Sequence, residues 1–188
     1  YMRQFFIHTI TLLAVILATT TISAQENSSF NEVKQITDDI RLKYAPDKRV
    51  AIFNIGYTVQ QNSVTLTGRT TQEDAHAALI KTLRDKGYAV TDNVTLLPNR
   101  KVHGETIYGI INISTCALRS SADYSSEMVT QALLGMPVKI IERDGWYHIQ
   151  TPDNYLAWTH RVGIHPVTRE ELSAWNAAEK VIVTAHHG

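Results

Sequence analysis

The stretch Gly145-Trp146-Tyr147-His148-Ile149-Gln150-Thr151-Pro152-Asp153-Asn154-Tyr155-Leu156-Ala157-Trp158 decides the reading of the C-terminal half. Two short runs rich in aromatic and β-branched residues flank Asp153-Asn154, and Asp144-Gly145 stands immediately before the first run. Both dipeptides supply the backbone freedom that a tight hairpin turn requires. Working outward, 138–142, 129–134 and 107–113 are further short strand candidates, separated by Ser, Gly, Pro, Asp and Asn. Several short strands at this spacing predict a small all-β barrel.

The N-terminal half has a different rhythm. Ser29-Phe30-Asn31-Glu32 has the form of a capping box, and Phe30, Val33, Ile36 and Ile40 follow at helical steps, so a helix is expected over about 29–44, ended by Pro46. The runs 50–59 and 64–67, around a polar turn at 60–62, predict a hairpin. Gly68 is read as a chain break before a second capping box, Thr70-Thr71-Gln72-Glu73. That box opens a helix faced by Ala75, Ala78, Leu79 and Leu83 and closed by Gly87. A strand over 88–97 completes an α-β-β-α-β unit. The residues 99–106, with Asn99 and Gly104, read as a linker. After the barrel, Thr168-Arg169-Glu170-Glu171 is a third capping box, expected to open a helix to about 178. The fold class expected is α+β.

Composition narrows the function. Eighteen Lys and Arg balance eighteen Asp and Glu, which excludes the basic field that nucleic-acid binding needs. The single cysteine, Cys116, excludes an intrachain disulfide framework, and the eight histidines show no metal-ligand spacing, so neither metal nor other cofactor is expected. Met2-Arg3-Gln4, the apolar run 5–18 and the small polar stretch 19–24 have the order of a secretory signal peptide cleaved after Ala24. The product is expected in the periplasm or cell envelope. Tyr1 ahead of Met2 suggests that the sequence starts upstream of its true initiator or was translated from a partial reading frame.

Three resemblances rest on particular stretches. Ala117-Leu118-Arg119-Ser120, the run 129–138, Gly145-Trp146-Tyr147-His148-Ile149 and Asp153-Asn154-Tyr155-Leu156-Ala157-Trp158 together resemble the bacterial SH3-like domain. More narrowly, Ser126-Glu127-Met128-Val129-Thr130-Gln131 with Tyr155 to Trp158 looks like the N-terminal SH3-like domain of NlpC-type cell-wall cysteine peptidases, which cleave the γ-D-glutamyl-diamino-acid bond of murein peptides. Val64-Thr65-Leu66-Thr67-Gly68 and the following helix and strand are similar to the BON module of exported bacterial proteins. The BON likeness would imply attachment to membrane or envelope surfaces. The segment lacks a basic amphipathic face, which favours a structural or spacer role.

The peptidase likeness implies that Glu127 meets the free amino group of a murein peptide and that Tyr155 supports the contact. Trp158 is expected on the binding surface because aromatic grooves in SH3 folds take extended peptides. Trp146, by its place after the hairpin turn, is expected in the core. Cys116 lies on a strand with no catalytic pattern around it and reads as a small buried hydrophobe, so no catalytic residue is assigned. The resulting division is a signal peptide over 1–24, a BON-like module over 25–98, the linker over 99–106, the barrel over 107–167, and over 168–188 a helix and an unpaired strand. That last strand would begin a further domain of a truncated chain, with the Cys-His catalytic domain beyond it. The alternative is a free-standing envelope protein that binds wall peptide or a protein partner.

Overall fold

The computed structural model describes residues 27–181. The chain is α+β and forms two compact units. One holds the described residues up to Lys48 together with Ile52–Thr95; the other holds Arg49–Ala51 and the described residues from Leu96 onward. The expected signal peptide lies outside the described residues, as does all of the expected last strand except Val181, which is irregular.

In the first unit, helix α1 runs through 27–44, strands β1 (Phe53–Gln60) and β2 (Ser63–Thr70) form an antiparallel hairpin, and helix α2 (Glu73–Asp85) leads into β3 (Ala89–Leu96). The sheet order is β1-β2-β3. Alternation along β1 turns Phe53, Ile55, Tyr57 and Val59 toward a core made of Val33 and Ile36 from α1, Val64 and Leu66 from β2, Leu79 and Leu83 from α2, and Tyr88. Gly87, at φ +90, sits just past the end of α2, where a left-handed residue lets the chain reverse into β3.

Three local expectations are corrected here. Helix α1 is already under way at residue 27, so Ser29 is not its cap; Glu32 instead pairs with Lys86 at 3.0 Å and accepts from the Tyr88 hydroxyl at 2.9 Å. The Thr70–Glu73 box does not form. Thr70 is a fully buried strand residue whose hydroxyl donates to the Ile52 carbonyl and accepts from the Gln72 amide, and the helix starts from Gln72 without a side-chain cap. Gly68 does not break the chain but lies within β2 opposite Ile55, at φ +109.

The second unit is a seven-stranded sheet in the order β10-β4-β7-β8-β9-β5-β6. Its strands are β4 (Tyr108–Ile111), β5 (Thr115–Arg119), β6 (Met128–Leu133), β7 (Pro137–Asp144), β8 (Trp146–Gln150), β9 (Leu156–His160) and β10 (Ile164–Val167). Every strand sends a side chain into one cluster: Ile111, Cys116, Leu118, Ala132, Val138, Ile140, Ile149, Ala157 and Ile164. A single interior shared by all seven means that the sheet curls around it, as a small barrel does. Gly109 permits that curl. A methyl group there would press on Ile164 and Ile140 across the interior.

Asp144-Gly145 and the turn holding Asp153-Asn154 join β7 to β8 and β8 to β9; Gly145 and Asn154 take φ +67 at both turns. The 99–106 segment is not an irregular linker throughout. Asn99 caps a single helical turn, α3 (Arg100–His103), by accepting from the Lys101 amide at 3.1 Å, and Gly104 ends it. Asn and Gly mark helix boundaries as readily as they mark loops. Helix α4 (Arg169–Ala177) begins with the full capping box: the Glu171 amide donates to the Thr168 hydroxyl at 3.2 Å, and the Thr168 amide donates to the Glu171 carboxylate at 2.8 Å.

Candidate binding face of the second unit

Strand parity builds the site. Ile149 points into the interior, and Tyr147, two residues away, packs against the same cluster. Trp146 and His148 must then face the other side of the sheet. On the neighbouring strand, Ala157 and Thr159 are buried, which sends Trp158 and His160 to that same outer side. Antiparallel register sets Trp146 opposite His160 and His148 opposite Trp158. Four aromatic rings therefore line up across two strands.

The rings touch. His148 lies flat on Trp158, with centroids 4.4 Å apart and planes 5° from parallel. Trp146 meets His160 edge-on at 5.6 Å, and Tyr124 from the 120–127 loop closes the group at 4.8 Å from Trp146 and 5.6 Å from His160. Contacts of this kind contribute about 0.5–1.5 kcal/mol each beyond the area they bury. Glu142 on β7, paired in register with His148, holds the imidazole Nδ1 at 3.3 Å. One face of the indole of Trp158 is thereby occupied by a ring whose own orientation is fixed.

Arg119 connects this face to the loop. It pairs with Trp158 on one side and with Met128 on the other, and its guanidinium donates to the Ser126 carbonyl at 2.6 Å. The loop is further pinned by Ser120 N–H donating to the Glu127 carbonyl and by Asp123, which accepts from the amide and hydroxyl of Ser125. Those two bonds hold the Asp123 carboxyl below its usual range.

Of the three residues singled out from the sequence, Trp158 pairs with Arg119, Glu127 follows the loop beside Ser120, and Tyr155 packs against the core cluster. Glu127 is exposed beside Met128, and its carboxylate has no hydrogen-bond or ion-pair partner among the described residues. Met128 lies two strands from Trp158, about 10 Å at the usual strand spacing. Tyr155, half-buried against the core cluster, lies three residues before Trp158, about 10 Å along the chain. Antiparallel pairing carries β9 back toward Tyr155 in the direction that β5 runs into the 120–127 loop. Glu127 and Tyr155 are thus at the same end of the sheet.

The expectation that Trp146 is a core residue is overturned, because it shares the parity of His148 and stands half-buried on the outer face while Tyr147 takes the inward position. Tyr124, His148, His160 and Glu142 were not singled out from the sequence. Parity counted from Ile149 would have found His148; the loop contact of Tyr124 has no such signal. Cys116 is 1% exposed, its sulfur 3.0 Å from the Thr159 hydroxyl, and burial pushes its thiol pKa up. A shielded thiol kept in its neutral form is a packing residue rather than a nucleophile. Among the described residues, no group of three or more His, Cys, Asp or Glu side chains could hold a metal ion.

Residues 118–161 match the family described as the bacterial dipeptidyl-peptidase Sh3 domain. The matched segment runs from β5 to the end of β9 and contains the whole aromatic face. Residues 118–161 of the second unit are therefore similar to a bacterial SH3-like domain. No match was found among curated proteins.

Proposed function

We propose that the second unit is the non-catalytic, substrate-end-selecting domain of an exported NlpC-type murein endopeptidase, and that it recognises wall peptides by their free amino terminus. The observation that carries this reading is the exposed, unpartnered Glu127 carboxylate, held at the rim of an aromatic face within the segment that matches a peptidase-associated domain. An ammonium group brought to Glu127 makes a charge-assisted hydrogen bond, which an acylated terminus cannot do. Tyr155 at the same end supports the first residue of the peptide, and the Trp158 face, braced by His148, takes the segment that follows. The scissile bond is cut by a catalytic domain outside this sequence. The first unit, with its resemblance to the BON module, serves as a spacer in the envelope.

Binding of a murein peptide with a free amine and of its N-acetylated form, each to the wild type and to Glu127→Gln, tests the reading. The free-amine peptide is expected to lose about tenfold in affinity on substitution, the scale of one charge-assisted hydrogen bond, while the acetylated peptide binds both proteins equally weakly. Equal affinity in all four pairings would end the proposal.

A further inference from the structure

A second feature of the same sheet lies away from the aromatic face. Val138 and Ile140 point into the interior, so Lys139 between them stands on the outer side of β7. Register places it directly opposite Tyr108 of β4 and, on the other flank, Gln150 of β8. The amide of Gln150 is engaged elsewhere, donating to the carbonyls of Val50 and Asn154. Arg169, the first residue of α4, lies over the Tyr108 ring at 5.6 Å. Arg100 of α3 pairs with Glu105 at 3.2 Å.

Lys139 itself has no hydrogen-bond or ion-pair partner among the described residues. Burial, and then the positive charges of Arg100 and Arg169, push its ammonium below the usual lysine range. Lys139 and Arg169 thus both stand at Tyr108, one by strand register and the other over its ring. Like charges gathered with partial desolvation are costly unless an anion answers them.

We propose that Lys139 and Arg169 form a binding site for a phosphoryl oxyanion, free or carried on a larger molecule. Lys139 supplies a point charge from the floor of the patch. Arg169, oriented by its stacking on Tyr108, supplies the planar donor fork that suits a phosphate group. The site is independent of Glu127 and of the peptide reading.

The test is a residue-resolved NMR titration of the full chain with inorganic phosphate and, separately, with glycerol 1-phosphate, at ionic strength held constant with chloride. Saturable shifts at the amides of Tyr108, Lys139 and Arg169 are expected. Lys139→Met should weaken binding about tenfold, the scale of a hydrogen bond to a charged group, and Lys139→Arg should retain most of it. Arg169→Gln, at an exposed position, keeps the test open if Lys139→Met fails to fold. Binding of phosphate alone assigns a free anion, and binding of both ligands a phosphoryl group borne on a larger molecule. Shifts no greater than those caused by chloride, or affinity unchanged in both charge-removing variants, would overturn the site.

Discussion

Gly68→Ala is expected to destabilise the first unit by about 3 kcal/mol or more. Two penalties combine at this position. The residue sits at φ +109, a conformation L side chains rarely adopt, and an added methyl group would run into the backbone carbonyl of Asn54 across the hairpin. Backbone cannot rotate away as a side chain can, so β1 and β2 would have to part. That pairing carries Val64 and Leu66 into the core, so the damage spreads beyond the turn of the strand. Loss on this scale is a large fraction of the total stability of a small domain. Hydrogen exchange resolved by residue checks it, through lost protection at the amides of Val64 and Leu66. Gly56→Ala is the matched control, because its methyl group would meet only the Thr67 hydroxyl, at 3.5 Å. Equal protection in the two variants would contradict the strain argument.

Leu118→Ala is expected to cost the second unit about 2–5 kcal/mol, the range for truncating a fully buried leucine. Leu118 is completely buried on β5, in the cluster to which all seven strands contribute, and β5 joins β6 to β9. Neighbours anchored in seven strands cannot collapse far into the space left behind. The readout is favourable, since the chain's three tryptophans, Trp146, Trp158 and Trp175, all belong to this unit. The urea midpoint of tryptophan fluorescence should fall sharply for Leu118→Ala and move little for Leu134→Ala, an exposed leucine. Equal shifts would mean that the cluster is not the interior of the unit.

The β8–β9 hairpin was legible from sequence because its turn chemistry and apolar alternation agree. The Thr168 capping box was legible for a similar reason: no competing partner claims the threonine hydroxyl. At Thr70 the same four-residue pattern misled, since a β-branched residue at the end of a strand found the Ile52 carbonyl first. Gly68 reads as a break because glycine usually punctuates; that it sits inside a strand follows from the close approach of Asn54, a contact invisible before the hairpin closes. For Trp146, the size of the ring argued for burial, while the parity of the strand, fixed by Ile149, argued the reverse and prevailed.

The candidate site was legible in part. Glu127 and Tyr155 came from a family likeness and Trp158 from its aromatic ring, and the register sets Met128, next to Glu127, and Trp158 on either side of Arg119. The His148 and Glu142 support beneath Trp158 depends on pairing between three strands, and the Lys139 patch on the register of β4 and the helix after the barrel segment. Neither arrangement leaves a local pattern in the sequence.

The most direct test of the central claim is an amide and indole shift map of the protein titrated with a murein tripeptide bearing a free amino terminus. The account expects saturable changes at Glu127, Met128 and Tyr155 and at the indole of Trp158, and their loss when the peptide is N-acetylated. Changes gathered instead around Tyr108, Lys139 and Arg169, or the same changes with the acetylated peptide, would contradict it.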